Sequence, residues 1–502
     1  MNALSARVAA ILELDPDAPA LEFERRWYPW RALDRTATDV ADAMEKLGLG
    51  PGAAVGVMLR NRPVPVGLML GVLRAGGCLV TINPQLGRDR VRRDLDTLDL
   101  ALLAAERADV VDLADLADAD RSRRMAVLIL DDLGGPAELV APDQVHHAPP
   151  HADGVAVQML TSGTTGPPHR VDLTYETLER VMEGAKHYES NARAELRLRD
   201  GVVVVNSPMV HLGGLFRVLQ AVMDGRRFAL LERFEVEAWI DCVRRHAPRT
   251  VSLVPAALRM VYDADLDPAD LASVRSAVSG TAPLDPDLAE AFTERYGVPV
   301  LTSYAATEFG GGVAGWNLRD YEQYAREKRG SVGRAHAGCR LRVVDPDDGH
   351  PLPNGEVGLL EVEAEQIDPD RWIRTTDLSR LDDDGFLWIV GRADQTILRG
   401  GFKVQPEVVR AVLVQHPAVA DAVVFGVDDA RLGQVPVAVV ERRPGETLDA
   451  DALLAFARER LAPYEIPITV RFVDVLTRTA SAKVDLAGVR AWFLAAEPAD
   501  GR

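Results

Sequence analysis

Apolar positions along the chain recur with two different periods, and the switches between them mark its organisation. Trp30 to Leu47 carries apolar residues at helical spacing, and so does Val64 to Ala75. Around them lie Ala53-Ala-Val-Gly-Val-Met-Leu59 and Cys78-Leu-Val-Thr-Ile82, short apolar runs of the kind that form strands buried on both faces. This alternation predicts parallel sheets covered by helices over the first 130 residues. Residues 131–153 are rich in Gly, Pro and His and read as a link. The alternation then resumes, with strand runs at Val202–Val205, Phe228–Leu231, Val251–Val254 and Ser276–Ser279 separated by helical segments. From about Cys339 the texture changes. Arg340–Val344 and Glu356–Val362 are closely spaced strand patterns, which predict a smaller β-rich subdomain. Beyond Gly391-Arg-Ala-Asp394, helical patterns at Pro406–Gln415 and Ala450–Leu461 join strand patterns at Ala422–Val427, Val435–Glu441 and Thr469–Val475. That stretch reads as a compact α+β domain. There is no internal repeat.

At 502 residues the chain exceeds one ordinary core, so two to four domains or subdomains are expected. Hydrophobic residues make up 47% and charged residues 26%, a globular balance. The net charge of −19 opposes binding to nucleic acid or to an anionic membrane surface. Cys78, Cys242 and Cys339 lie far apart and belong to no CxxC pair, which suggests a reducing, cytoplasmic compartment without a disulfide framework. The N-terminus does not read as a signal peptide. The apolar region Val64–Ile82 is interrupted by Arg74 and by glycines, so no membrane span is expected. His146-His-Ala-Pro-Pro-His151 has no acidic or cysteine partner nearby and reads as a solvated loop rather than a metal site.

One segment stands apart chemically: Met159-Leu-Thr-Ser-Gly-Thr-Thr-Gly-Pro-Pro-His-Arg-Val171. It follows a strand run with small residues, whose N–H groups can converge on an anion, and with the hydroxyls of Thr161, Ser162, Thr164 and Thr165. Gly163 and Gly166 give the backbone freedom. It is not a P-loop, because Pro167 and Pro168 follow Gly166 and stop a helix from starting there. Further polar motifs follow at wide spacing: Ser279-Gly-Thr-Ala-Pro-Leu284, Ser303-Tyr-Ala-Ala-Thr-Glu-Phe-Gly310, Arg374-Thr-Thr-Asp-Leu378, Gly391–Lys403 and Arg478-Thr-Ala-Ser-Ala-Lys-Val484. The first two end strands, and the third reads as a strand-to-turn element.

In this order the motifs resemble those of the adenylate-forming superfamily of acyl-CoA synthetases, peptide-synthetase adenylation domains and luciferases, from roughly Trp27 to Val489. The resemblance implies an α/β multi-subdomain fold: a large N-terminal domain of two α/β subdomains plus a small β-barrel (1–391), a hinge (392–394) and a small mobile α+β C-terminal domain (395–502). It implies ATP-dependent activation of a carboxylic acid as an acyl-adenylate with release of pyrophosphate, then transfer to a thiol, most simply that of CoA. The implied cofactors are ATP, Mg²⁺ and CoA, and the implied partner is a small-molecule acid. By the same resemblance, Thr161, Ser162, Gly163, Thr164, Thr165 and Gly166 bind phosphates. Gly280, Thr281 and Ala282 line the adenine and acyl pocket, and Tyr304 stacks on adenine. Thr307 contacts phosphate, and Glu308 holds Mg²⁺. Asp377 accepts from the ribose hydroxyls, and Arg392 reaches the nucleotide. Lys483 bridges the carboxylate and the α-phosphate. His211 and Gly213 border the acyl pocket, Asp394 is the hinge, and Arg399-Gly-Gly-Phe402 serves the second step.

The pattern departs from the family at several places. His169 and Arg170 stand where the family has Lys and Gly, and Arg170 is expected to supply the missing charge to the phosphates. Ala305, Thr376 and Ala482 each replace a glycine. Glu237, Trp239 and Trp316 read as packing or surface residues. Two alternatives stay open on the sequence. One keeps adenylation but changes the partner to an amine, a carrier-protein thiol or nitrite. The other is a nucleotide-binding protein without catalysis.

Overall fold

The computed structural model describes residues 2–111, 125–142, 154–161, 169–186, 196–479 and 483–495. Packing divides the chain into two units. The first comprises Met1–Thr281, Glu290–Gly312 and Glu365–Pro369. The second comprises Ala282–Ala289, Val313–Ala364 and Asp370–Arg502. The expected hinge at 392–394, between 1–391 and 395–502, falls inside the second unit.

The first unit is built around parallel sheets. A seven-stranded sheet runs in the order Ala137–Val140, Ala126–Leu130, Leu102–Glu106, Ala54–Met58, Cys78–Ile82, Val155–Thr161, His169–Thr174. Its five inner strands are parallel, and the two edge strands are antiparallel to their neighbours. The predicted runs fall in place: Ala54–Met58 and Cys78–Ile82 are buried at every position. The link expected at 131–153 is shorter than read, because Ala137–Val140 closes the sheet edge. The His146–His151 cluster lies outside the described residues.

A second sheet takes Arg199–Val205 and Arg226–Leu230 in parallel and adds the hairpin Pro19–Phe23/Arg26–Pro29 from the far N-terminus. The apolar pattern does not mark that hairpin, because Pro, Glu and Arg interrupt its strands. Thr250–Ser252, Ser276–Ser279 and Val300–Ala306 form a third parallel set.

The glycines that interrupt Val64–Ile82 have a packing role. A Cβ at Gly67 would lie 2.7 Å from Thr36, and one at Gly71 would lie 2.7 Å from Val40 and 2.9 Å from the Ala37 backbone. Gly67 and Gly71, one turn apart, therefore let helix Pro63–Arg74 press against helix Trp30–Lys46. The main core runs through both helices to Leu4–Leu12, helix Leu212–Met223 and strand Arg226–Leu230. Among the described residues no helix is long and apolar enough to cross a membrane.

In the second unit, Cys339–Val344, Gly358–Ala364, Asp368–Leu381 and Leu387–Arg392 form a four-stranded sheet, the expected β-rich part. The C-terminal stretch pairs Val419–Asp429 with Gly433–Arg442 along their length. The continuous apolar run Ala422-Val-Val-Phe425 is explained by burial on both faces. Ala422 and Val424 meet Val409, Leu413, Leu453 and Ala457, whereas Val423 and Phe425 meet Val489 and Phe493. Helices Pro406–Leu413 and Ala450–Arg458 supply the first cover, and Leu486–Ala495 the second.

Gly71→Leu is expected to force the two N-terminal helices apart at a cost on the order of 2–3 kcal/mol. It should lower the denaturant midpoint of the first unit, whereas Gly71→Ala should lose less. An unchanged midpoint for Gly71→Leu would show that the contact is not tight.

Candidate active site

Open parallel sheets collect ligands at the carboxyl ends of their strands, where the crossover loops begin. The predicted motifs of the first unit sit at such ends. Thr161 ends Val155–Thr161 and pairs across the sheet edge with His169, so the phosphate-loop candidate connects two antiparallel strands. Ser162, Gly163, Thr164, Thr165 and Gly166 lie outside the described residues. Ser279 ends the next motif strand and is in register with Thr302 of Val300–Ala306. Gly280 follows, and a Cβ there would be 2.8 Å from Ser303 Oγ and 3.2 Å from its carbonyl oxygen. A side chain there would crowd the neighbouring strand. Thr281 then takes φ +71°, a left-handed conformation that costs a β-branched residue of order 1 kcal/mol or more. Backbone strain of this kind collects at functional sites. Ala282 continues the turn and is exposed.

Tyr304, half-buried, lies on the strand beside Gly280, with its ring centroid 6.1 Å from that of Phe309. Thr307 and Glu308 form a short turn at the strand end, closed by a bond from Gly310 N–H to the Thr307 carbonyl. Glu308 is exposed and Phe309 is buried beneath it. Gly310 has φ +71°, and a Cβ there would be 2.6 Å from Thr177. The Glu308 turn thus rests on helix Tyr175–Lys186, which leaves the strand that begins at His169. Among the described residues no three His, Cys, Asp or Glu side chains cluster as a metal cage. A lone exposed carboxylate suits Mg²⁺, which keeps waters and takes phosphate oxygens for its remaining positions.

The expected role of Arg170 is overturned. Its guanidinium turns into the sheet, 2.6 Å from Asp94, with both side chains 11% exposed, and it donates to the Thr81 carbonyl at 3.1 Å. Side chains alternate across a strand, so exposed His169 and inward Arg170 cannot both serve the loop.

His211 occupies the position before helix Leu212–Met223, with Gly213 exposed behind it. Gly214 is obligatory: a Cβ would be 2.2 Å from the Pro208 carbonyl oxygen. A residue that sequence reasoning missed holds this turn. Asn61 donates to the carbonyls of Ser207 at 2.9 Å and Leu231 at 3.1 Å, and accepts from Met209 N–H at 2.8 Å. The available signal was a polar cluster, Arg60-Asn61-Arg62, at the carboxyl end of a buried strand. Trp239 is buried, and Trp316 donates to the Ser331 carbonyl, as the packing roles expected for them require.

In the second unit, Arg374-Thr-Thr-Asp-Leu378 is not a strand-to-turn element. It lies within the long strand Asp368–Leu381, and Asp377 pairs across the sheet with Arg392. Arg392 grips Asp394 with Nε at 3.0 Å and Nη2 at 2.8 Å, donates to Thr376 Oγ1, and keeps Nη1 4.0 Å from Asp377. Thr376, in place of a glycine, thus gives the guanidinium another acceptor. Gly400 and Gly401, both at positive φ, make the two-residue turn between Ile397–Arg399 and Phe402–Val404. Phe402 stacks on Tyr464 at 4.5 Å.

Lys483 is exposed. Thr479 N–H donates to its carbonyl at 2.7 Å, and Arg478 bridges to Val484. Ala482 lies outside the described residues. Arg478 is anchored by Asp421 at 2.7 Å, and Arg410 binds the other oxygen of Asp421 at 2.7 Å. Burial would raise the Asp421 carboxyl, but the two arginines hold it below its usual value. The anchor is therefore complete above the ordinary carboxylate range and is lost only as pH falls through that lowered value.

Known proteins match this arrangement along nearly the whole chain. The family model for AMP-binding enzymes matches residues 8–367, and that for the AMP-binding enzyme C-terminal domain matches residues 409–483. The chain is 28% identical to 4-coumarate–CoA ligase 3 of Oryza sativa subsp. japonica, over 94% of this chain and 88% of that protein. It is also 28% identical to a 2-succinylbenzoate–CoA ligase of Bacillus cereus, over 94% and 95%. ATP-bound MatB from Rhodopseudomonas palustris superposes with a TM-score of 0.82 at 25% identity, covering 98% of this chain and 99% of that one.

Arg170→Met is expected to cost about 3 kcal/mol, because it strands Asp94 in a buried setting. The double variant with Asp94→Leu should regain most of the loss in a denaturation cycle. Loss of ATP affinity without loss of stability would instead return Arg170 to the phosphates.

Proposed function

Because the chain belongs to the AMP-binding enzyme family and is an ATP-dependent, adenylate-forming ligase of the acyl-CoA synthetase kind, we propose how its residues divide the work. The observation that carries the proposal is the fit of Gly280 against Ser303. It puts strained Thr281 beside the Tyr304–Glu308 segment at the ends of two adjacent parallel strands.

The reaction joins two anions, a carboxylate and the α-phosphate of ATP, so the protein must supply positive charge and fixed donors where they meet. In this reading the Thr161–Gly166 segment holds the outer phosphates, Thr307 adds a hydroxyl, and Glu308 takes Mg²⁺. Tyr304 offers a ring face to adenine, beside the side-chain-free Gly280. Asp377 accepts from the ribose hydroxyls. Arg392 reaches the nucleotide after leaving part of its grip on Asp394. Lys483, a compact ammonium, stands between carboxylate and phosphate. His211 and Gly213 border the acyl group.

CoA is the proposed acceptor. The turn Gly400–Gly401, stiffened by Phe402 on Tyr464, offers a backbone with no side chain in the path of a thin thiol-bearing arm. Residues 392–394 lie between the two family matches, which supports a hinge at Asp394 and a mobile piece from 395 onward. Cys78 and Cys242 are buried, and burial pushes their thiols up to about 12 and about 11, so neither competes as a nucleophile.

Lys483→Ala is expected to cut pyrophosphate release by about 100- to 1,000-fold while ATP binding persists in calorimetry. Near-normal release would remove Lys483 from the site.

Asp394→Pro is expected to spare adenylate formation and sharply lower thioester formation, because proline fixes φ at the hinge. Asp394→Ala, which loses the carboxylate but keeps φ free, should affect the second step less. Equal loss of both steps in Asp394→Pro would place the hinge elsewhere.

A further inference from the structure

Helix Leu212–Met223 carries a single charged side chain, Arg217. Most of this helix is closed off. Gly214, Leu215, Val218, Leu219, Ala221, Val222 and Met223 are buried, most of them in the main core. One stripe stays open: Gly213 is exposed, and Arg217 and Gln220 are half-buried. Their spacing of four and three residues stacks them on one face. A Cβ on Gly213 would meet nothing within 4 Å. A long helical side chain leans over the turn that precedes it, the direction in which Gly213 leaves space for Arg217.

Several other partly buried arginines of this unit have acids, whereas Arg7 donates to the Met223 carbonyl and Arg227 lies over the Trp27 ring. Arg60 binds Asp109, Arg62 binds Glu106 and Glu232, Arg170 binds Asp94, and Arg245 binds Glu22. Arg217 has no carboxylate partner among the described residues. Burial alone acts on its guanidinium and pulls it below the usual arginine value. In a chain with 76 acidic residues, a counter-charge would be easy to provide. A guanidinium left in apolar surroundings is costly unless an anion arrives to pair with it.

We propose that Arg217 is a specificity residue that binds a second carboxylate on the acid substrate, remote from the carboxylate that is adenylated. This rests on the reading that the acyl group lies beside His211 and Gly213. The planar guanidinium suits a carboxylate by paired N–H···O bonds. Gln220, one turn further, offers an amide for a polar group beyond it. The preferred substrates are therefore dicarboxylic acids, aliphatic or aromatic, in preference to acids of the same length ending in a methyl group or a bare ring.

The test compares matched acids: hexanoate with adipate, benzoate with isophthalate and terephthalate, and cinnamate with 4-carboxycinnamate. Binding is read by calorimetry with a non-hydrolysable ATP analogue, and turnover by pyrophosphate release. The native protein should bind at least one diacid 10- to 100-fold more tightly than its partner, the range set by charge-assisted hydrogen bonds of about 1.5–3 kcal/mol. Arg217→Gln should abolish that difference and leave the monoacids unchanged, and Arg217→Lys should keep part of it. Without ligand, Arg217→Gln should unfold at the same midpoint or a higher one, since no ion pair is broken. The proposal falls if no diacid is preferred. It falls equally if Arg217→Gln weakens both classes alike and lowers the midpoint, the signature of a structural residue. Diacid preference in binding with no pyrophosphate release would keep Arg217 as assigned and overturn the adenylation reading. Release with monoacids alone would do the reverse.

Discussion

A parallel strand cannot return directly to its neighbour, and that constraint governs the first unit of this protein. Each parallel pair needs a crossover, the crossover helices cover the sheet faces, and the strands beneath become apolar on both sides. Polar chemistry is then pushed to the strand ends. Thr161, Gly280 and the Tyr304–Glu308 segment all stand at carboxyl ends for that reason. The same close packing explains two glycines with opposite roles. Gly71 admits a helix, and Gly280 admits a strand.

Charge is deployed in three ways. Arg170 and Asp94 neutralise each other between the sheet and helix Arg88–Asp96 and are spent on stability. Arg392 is held by Asp394 and Thr376 in a partly exposed fork, where solvent weakens the grip. Arg217, half-buried on an apolar helix, has no acid among the described residues. Burial and partnership, rather than residue type, separate these three guanidiniums.

The role proposed for Glu308 asks little of the protein, because the substrate would bring phosphate oxygens to the magnesium ion. One carboxylate on a turn braced by Phe309 and Thr177 suffices in this reading. Precision comes from the scaffold below, where Gly310 touches a helix that begins one strand after the phosphate-loop candidate.

Much of the architecture was legible in the linear pattern. Runs such as Ala54–Met58, Cys78–Ile82 and Ser276–Ser279 declared themselves because a strand buried on both faces must be apolar throughout. The motif order carried the family and the candidate residues, since each motif is local and ends an element. Four residues take their roles only from folding. Arg170 stands in sequence where its charge could replace the family's lysine, but strand alternation turns it inward. Asp377 looked like part of a turn, whereas its place opposite Arg392 depends on the register between two distant strands. Asn61 and Arg217 drew no notice because their meaning lies in what surrounds them: three backbone partners for one, and the absence of a described acid for the other. Periodicity reports which face a residue occupies. It does not report what stands across from that face, because the partner comes from a part of the chain that only tertiary packing brings near.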